Sequence, residues 1–243
     1  MAKTVGMSAP LSARELVRTE MTRQILEVAR EHLARDGAAG LALRSIAREL
    51  EMVPSALYRY FPSRDALLSA LILDAYEALL REAERASENA WEAETDDVER
   101  WLAVPRAMRI WALENPHQWA LLFGSPVPGY EAPQSTVAPY ARLAEALVRP
   151  IADAHVHGRL HTGPATKEPS GPLEAALQPV IDGLLPGVPA QTVASALQAW
   201  ATLIGVVSLE MFGHWRNTVL DPEVFFESTI ANLANLIGLR ARR

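Results

Sequence analysis

The 243-residue chain is long enough to bury one large core or two smaller ones, and its 49% hydrophobic and 21% charged residues are ordinary for a soluble globular protein. It contains no cysteine, which excludes disulfides, zinc–thiolate sites and thiol catalysis. The net charge is −6, but residues 1–65 hold ten Lys/Arg and eight Asp/Glu, so the acidic surplus lies in the rest of the chain. This distribution suits a protein that presents only its N-terminal end to phosphate.

The longest apolar run, residues 190–209, is a possible membrane span that we interpret as a buried helix. Gln191, Thr192 and Gln198 interrupt it, and a span needs about twenty mostly apolar residues. Residues 1–12 lack the apolar segment of a secretory signal. We therefore expect a cytoplasmic protein with no membrane partner.

Helical periodicity dominates the sequence, and no run of alternating β-branched residues is present, so the predicted fold class is all-α. Gly37 ends the first helix, Pro54 begins the third, Pro62 ends it, and Ser63 can cap the fourth. The predicted helices cover residues 14–36, 43–50, 54–61, 64–90, 95–115, 116–123, 135–157, 172–184, 190–212 and 221–239.

The predicted helices form two domains. We expect a disordered tail over residues 1–13, a helix-turn-helix DNA-binding domain over 14–70, and a larger helical ligand-binding and dimerisation domain over 71–243. Two short helices joined by a tight turn, preceded by a supporting helix and followed by a long one, form the geometry in which the second short helix enters a major groove.

Residues 41–71, LALRSIARELEMVPSALYRYFPSRDALLSAL, resemble the TetR/AcrR family of regulators. The usual family pattern is an Arg-x-Ile-Ala helix, a turn, Leu-Tyr-x-Tyr/His-Phe, and a Lys or Arg that opens the next helix. The matching positions are Arg44, Ile46, Ala47, Leu57, Tyr58, Tyr60, Phe61 and Arg64. The resemblance implies a ligand-responsive transcriptional regulator, most often a repressor, that binds palindromic double-stranded operator DNA as a dimer.

Each candidate DNA contact has a physical role. Arg44 and Arg64 can pair with phosphates, as the matching family positions do. A serine hydroxyl can hydrogen-bond to any of the bases, and an alanine methyl can pack against the methyl group of thymine. An arginine can donate two hydrogen bonds to guanine. Tyrosine hydroxyls can reach phosphate, and their rings can rest on sugar or on a thymine methyl. The candidate residues are Arg44, Ser55, Ala56, Tyr58, Arg59, Tyr60 and Arg64.

Three residues depart from the family pattern. Glu51 stands where a turn glycine is common, so it must adopt a left-handed conformation or alter the turn, and it places a negative charge near DNA. Val53 and Ala42 replace frequent capping Ser or Thr residues. These departures leave a second interpretation open, namely a helical small-molecule-binding or interaction protein with weak or lost DNA binding.

Residues 200–215, WATLIGVVSLEMFGHW, resemble the TetR-type C-terminal domain with a Trp-x-x-x-His-Gly signature. Trp200 and Gly205 match, but Ile204 replaces the histidine, which implies a largely apolar small-molecule effector. Glu210 either orients a polar ligand group or lies at the surface. Aromatic residues at helical spacing are more often core than ligand contacts. The pocket candidates are Trp101, Met108, Trp111, Phe123, Tyr140, Trp200 and Ile204.

The last two predicted helices are apolar over more than one face, which indicates a partner surface. A twofold four-helix bundle formed by two copies would bury it, and the resemblance implies the same homodimer.

No catalytic or metal site is predicted. The chain has no P-loop, glycine-rich dinucleotide turn, Gly-x-Ser-x-Gly elbow or His-Glu-x-x-His motif, so we expect neither an enzyme nor a cofactor. Asp153, His157 and His161 have a spacing that could gather a metal on one helical stripe, but Gly158 interrupts the helix between them. We interpret these residues as a solvated surface cluster.

Overall fold

The structure, a computed structural model, describes residues 12–161 and 171–241, and every regular element within these ranges is helical. This confirms the predicted fold class. The helices are α1 (Ala13–Asp36), α2 (Leu43–Glu49), α3 (Pro54–Leu57), α4 (Arg64–Glu92), α5 (Asp97–Glu114), α6 (Pro116–Phe123), α7 (Val137–Val156), α8 (Gly171–Leu184), α9 (Ala190–Met211) and α10 (Pro222–Ile237). Two 3₁₀ turns cover Ala38–Gly40 and Gln134–Thr136. Of the predicted tail, residues 1–11 lie outside the described residues.

Capping interactions set the helix ends. The Ser12 hydroxyl accepts a hydrogen bond from the Glu15 N–H, and the Glu15 carboxylate accepts one from the Ser12 N–H, which forms a capping box at the start of α1. Gly37 ends α1 with a φ of 68°, a conformation that glycine adopts without steric cost. The Asp96 side chain accepts from the Glu99 N–H and begins α5.

The described chain divides into two compact units. The N-terminal unit contains the described residues up to Leu71 together with Val127–Tyr130, and the C-terminal unit contains Ile72–Pro126 and the described residues from Glu131 onward. Within the N-terminal unit, the Tyr130 hydroxyl lies 3.0 Å from the Ser69 hydroxyl. The chain therefore enters the N-terminal unit a second time, between α6 and α7.

A small core holds the N-terminal unit together. Helix α1 packs against α2 and the first 3₁₀ turn, and α2 packs against α3. Ile46, Ala47, Leu57 and Phe61 are buried, whereas Leu50 is only half-buried. Because close-packed side chains resist movement, this core fixes the angle between α2 and α3.

Helix α5 lies at the centre of the C-terminal unit, where it packs against α6, α7, α9 and α10. The unit buries several large side chains completely, among them Trp101, Met108, Trp119 and Phe226. Helix α9 packs against α5, α6, α8 and α10.

Among the described residues, α9 is the one helix long and apolar enough to cross a membrane by length and composition. Its most apolar stretch is 44% buried within the protein, and it contacts four other helices. Core helices of soluble proteins meet the same criteria, and these contacts account for the buried apolar residues of α9.

Candidate DNA-binding surface and ligand cavity

The turn between α2 and α3 closes with a left-handed glutamate. Glu51 has a φ of 53°, the Met52 N–H donates to the Ala47 carbonyl over 2.8 Å, and the Glu51 N–H donates to the Arg48 carbonyl over 3.2 Å. These two bonds form a Schellman motif with Glu51 at the position that glycine usually occupies. Glu51 therefore keeps the conventional turn and adopts the left-handed conformation that the sequence left as one of two options.

A part-buried hydrogen bond joins α1 to α2. His32 is 3% exposed, and its Nε2 lies 2.7 Å from a carboxylate oxygen of Glu49. Sequence reasoning could not single out His32, because a lone histidine on an apolar helical stripe has no distinctive pattern. The contact supports α2 from behind and leaves its opposite face to solvent.

Helix α3 is shorter than predicted. Its regular part ends at Leu57, so the predicted extent of 54–61 is wrong. The N–H groups of Arg59 and Tyr60 donate to carbonyls three residues earlier, at Ala56 and Leu57, which is the tighter bonding found where a helix ends. Pro62 also disfavours helical geometry at Phe61.

The predicted DNA contacts on α2 and α3 are mostly exposed. Arg44, Ser55, Tyr58 and Arg59 are exposed, and Ala56 is half-buried beside them. Val53, the residue before α3, is also exposed and supplies no capping oxygen, as the sequence indicated.

Tyr60 and Arg64 are partly engaged within the N-terminal unit. The Arg18 guanidinium lies 5.4 Å from the centre of the Tyr60 ring, within cation–π range. Arg64 donates from Nη2 to the Ala38 carbonyl over 2.6 Å. A guanidinium has five N–H donors, so this bond holds the start of α4 and leaves others for a phosphate.

An apolar cavity of about 200 Å³ lies between α7, α8 and α9. None of the described side chains that line it carries a charge, and the tyrosine hydroxyl and tryptophan N–H are the polar groups among them. The lining residues are Tyr140, Ala144, Leu147, Val148, Val180, Leu184, Leu185, Val193, Ala196, Leu197 and Trp200. The aliphatic residues of α8 could not be distinguished by sequence from ordinary core positions.

Two of the seven predicted pocket residues, Tyr140 and Trp200, line this cavity and contact each other edge to face at 5.8 Å. Phe123 contacts Trp200 at 6.4 Å and extends this aromatic group. Tyr76 contacts both Phe123 and Tyr140, and its burial raises the pKa of its hydroxyl.

The other predicted pocket residues lie outside the cavity lining. Trp101, Met108 and Trp111 are buried in the core of the C-terminal unit. Ile204 is half-buried against the same core.

Glu210 is neither a surface residue nor available to orient a ligand. Its carboxylate accepts two hydrogen bonds of 2.8 Å from Arg109, and each side chain is 13% exposed. Hydrogen bonding to Glu210 raises the pKa of Arg109. The pair joins α9 to α5.

Asp153 belongs to an ion-pair network rather than to a solvated cluster. Arg159 donates to Asp153 and to the buried Asp97, and Arg100 lies 3.7 Å from Asp97. His157 lies 3.3 Å from Asp153 but is exposed. The carboxylates of this network are therefore already neutralised by arginines.

Two braced short helices with exposed arginines and tyrosines define a helix-turn-helix protein of the DNA-binding class. Residues 25–71 match the family model described as bacterial regulatory proteins, tetR family, and residues 101–233 match the model described as tetracyclin repressor-like, C-terminal domain. The chain belongs to the TetR family of transcription regulators. The second description does not name the Trp-x-x-x-His-Gly subtype, which stays a prediction.

Relatives agree with this assignment over nearly the whole chain. HTH-type transcriptional regulators of Mycobacterium tuberculosis and Mycobacterium bovis are 40% identical over 238 residues, covering 94% of this chain and 95% of theirs. The solved regulatory protein SCO4313 is 31% identical with a TM-score of 0.74, covering 91% of this chain and 98% of its own. A solved protein from Rhodococcus sp. RHA1 is 27% identical with a TM-score of 0.65, covering 89% and 95%.

These relatives make the chain a transcription regulator and not an enzyme. Regulators of this family bind DNA and small-molecule effectors as dimers.

Proposed function

We propose that this regulator is a cytoplasmic, ligand-responsive repressor. Residues 14–70 bind a palindromic operator, and residues 71–243 bind a small, largely apolar effector and form the homodimer. The observation that supports operator binding most is the exposure of Arg44, Tyr58 and Arg59 around a core in which Ile46 and Leu57 are fully buried. A rigid support with a solvated polar face is what base readout in a major groove requires.

The proposed contacts divide into positioning and readout. Arg44 and Arg64 bind phosphates and set the register of the protein on the duplex. Tyr58 and Tyr60 contact phosphate and sugar.

Base readout falls to three residues in and just after α3. The Ser55 hydroxyl hydrogen-bonds to a base edge with little discrimination between bases, Ala56 contacts a thymine methyl, and Arg59 donates two hydrogen bonds to guanine. In a dimer, two copies of this segment would meet successive major grooves about 34 to 36 Å apart.

The proposed effector site is the apolar cavity. Its volume of about 200 Å³ is below the roughly 300–1,000 Å³ of sites for drug-sized ligands, which favours a small molecule. Because burying an unpaired charge is costly, a lining whose described side chains carry no charge favours an uncharged one. Tyr140 and Trp200 would contact it directly, and Phe123 would support them.

We propose that the effector releases the dimer from DNA by shifting its population from one conformation to another. Without effector, the dimer's recognition segments match the operator spacing, and bound effector favours a different arrangement with a coupling of about 1 to 3 kcal/mol. Helix α4 is the proposed link, since it begins at Arg64 and continues past the unit boundary at Leu71.

Operator binding is tested by selecting bound sequences from random duplex DNA. We expect a palindrome, with Arg44→Ala and Tyr58→Phe each weakening its binding about tenfold, as expected when a phosphate contact is lost. Arg81→Ala removes an exposed arginine of α4 in the C-terminal unit and serves as the matched control. If no sequence is enriched, the binding or interaction protein without DNA affinity is the better description. If a palindrome is enriched but both variants bind normally, the contact assignment is wrong.

The effector site is tested by filling it. Ala196 lines the cavity, so Ala196→Phe should abolish 1-octanol binding in isothermal titration calorimetry while operator binding persists. Ala176→Phe, at an exposed position of α8 outside the lining, is the control and should retain octanol binding. Equal octanol affinity of Ala196→Phe and the wild type would contradict the assignment, as would tighter binding of octanoate than of octanol.

A further inference from the structure

A groove of about 590 Å³ runs between the first turns of α1 and the helix-turn-helix. We call it the α1–α3 groove. It is lined by Ala13, Arg14, Val17 and Arg18 from α1, and by Met52, Ala56, Arg59 and Tyr60 from the helix-turn-helix. Both walls lie in the N-terminal unit, and one of them contains the proposed base-reading residues.

The lining of the α1–α3 groove is strongly positive. Arg14, Arg18 and Arg59 are all exposed, and no carboxylate is among the described residues that line the groove. Such a concentration of one sign of charge attracts an anion.

Neighbouring acids on α1 are already engaged. The Glu15 carboxylate accepts hydrogen bonds of 2.7 Å from both the N–H and the hydroxyl of Ser12, which lower its pKa. Glu20 accepts from Arg23 over 2.8 Å, and this bond lowers its pKa to about 2. Both acids lie outside the groove lining and have their own partners, and the capping box holds the first turn of α1 in place.

The groove lining also contains apolar side chains. Val17 is 64% exposed, and Met52 and Ala56 line the same groove. A lining that combines arginines with apolar side chains suits a strand of DNA backbone, whose phosphates alternate with deoxyribose rings. Arg18 also lies over the ring of Tyr60, so the same side chain can orient that tyrosine.

We propose that the α1–α3 groove holds one strand of the operator backbone, with Arg14 and Arg18 binding phosphates and Arg18 positioning Tyr60. The proposal rests on the proposed DNA binding, because Ala56, Arg59 and Tyr60 belong both to the groove and to the recognition segment. It adds α1 to the surface that determines affinity and register.

The experiment measures affinity for the selected duplex by fluorescence anisotropy between about 50 and 200 mM salt. The logarithm of the binding constant falls linearly with the logarithm of the salt concentration, with a slope of about −0.9 for each phosphate neutralised. Because a dimer loses two arginines, Arg14→Ala and Arg18→Ala should each reduce the magnitude of this slope by about two. Arg23→Ala removes an arginine from the same helix outside the groove, where it pairs with Glu20 and Glu27, and should keep the wild-type slope.

Arg18→Lys distinguishes the charge that Arg18 offers to a phosphate from its role in positioning Tyr60. Lysine keeps the positive charge, so the salt slope should stay at the wild-type value, whereas loss of the planar contact with Tyr60 should weaken binding severalfold. Equal affinity of Arg18→Lys and the wild type would overturn the positioning role. Circular dichroism should give the same helix content for all variants, because the substituted side chains are exposed.

Wild-type slopes in Arg14→Ala and Arg18→Ala would overturn the inference while leaving the proposed function intact. Failure of the wild type to bind any selected duplex would overturn the proposed function itself. Inorganic phosphate without DNA provides a second arm: a thermal shift of the wild type that Arg14→Ala lacks, together with a wild-type salt slope of that variant on DNA, would identify a free-anion site and overturn the backbone assignment. No shift in either protein is the expected result.

Discussion

Glu51 and Glu94 share the same local geometry in different surroundings. Each has a φ of 53° and follows the last turn of a helix, α2 for Glu51 and α4 for Glu94. A left-handed conformation costs an L-residue about 1–2 kcal/mol, and glycine avoids this cost. We therefore expect Glu51→Gly and Glu94→Gly each to raise the free energy of unfolding by about 1 kcal/mol, measured by urea denaturation.

The two substitutions should differ in DNA binding. Only Glu51 lies in the helix-turn-helix, so Glu51→Gly should tighten operator binding by removing a negative charge, and Glu94→Gly should not. Glu51→Gln removes the charge but keeps the strain, so it should tighten binding without added stability. Unchanged stability of both glycine variants would show that the turn carries no strain.

At the residue scale, the sequence predicted properties that follow from local chemistry. It indicated the missing cap at Val53 and narrowed Glu51 to a left-handed conformation or an altered turn, because both depend on positions within one turn. The bonds from Arg64 to Ala38 and from Arg109 to Glu210 span 26 and 101 residues, and no local pattern indicates such pairs.

Ion pairs join α5 to the last two helices. Arg109 binds Glu210 of α9 through two hydrogen bonds, and Arg106 binds Glu227 of α10. Removing one partner of a largely buried pair leaves an uncompensated charge. We therefore expect Glu210→Ala to lower the free energy of unfolding by about 3 kcal/mol, measured by thermal and urea denaturation.

Two further variants test that cause. The double variant Arg109→Met/Glu210→Leu removes both charges and should be closer to wild-type stability than Glu210→Ala. Glu82 and Arg85 form an exposed pair on α4, so Glu82→Ala should change stability by less than about 1 kcal/mol. A double variant as unstable as Glu210→Ala would argue for lost packing instead of an unpaired charge.

At the element scale, helices with strong end signals were predicted most closely. Residues 116–123 coincide with α6, because Pro116 begins it and Gly124 follows it. Helix α3 was overextended because the aromatic residues at 58–61 fit helical spacing while the backbone had already tightened before Pro62. The cavity could not be predicted, since it depends on how α7, α8 and α9 pack together.

Apolar residues cover more than one face of α9 and α10 for two reasons. Ile230, Leu233 and Ile237 are buried within the chain, so these residues do not need the partner that their pattern suggested. Leu209 and Val224 remain 38% and 65% exposed. These exposed positions, with Phe212 and Phe225 nearby in sequence, are the surface that we propose for dimerisation.

Charged substitutions test this dimer surface. Leu209→Glu and Val224→Glu should convert a dimer into a monomer in analytical ultracentrifugation, because burying an unpaired carboxylate is unfavourable. Ile110 is a similarly exposed apolar residue of α5, and Ile110→Glu should remain dimeric. Monomeric variants should also lose most operator affinity. Dimers that persist in both α9 and α10 variants would place the interface elsewhere.

The second entry of the chain into the N-terminal unit affects how regulators of this kind can be recombined. Val127–Tyr130 belong with the helix-turn-helix, and Tyr130 meets Ser69 there. In a chimera that exchanges only the first 71 residues, Val127–Tyr130 of one parent would therefore pack against the helix-turn-helix of the other. Chimeras designed to give one sensor a new operator should transplant both stretches of sequence, so that Ser69 and Tyr130 come from the same parent.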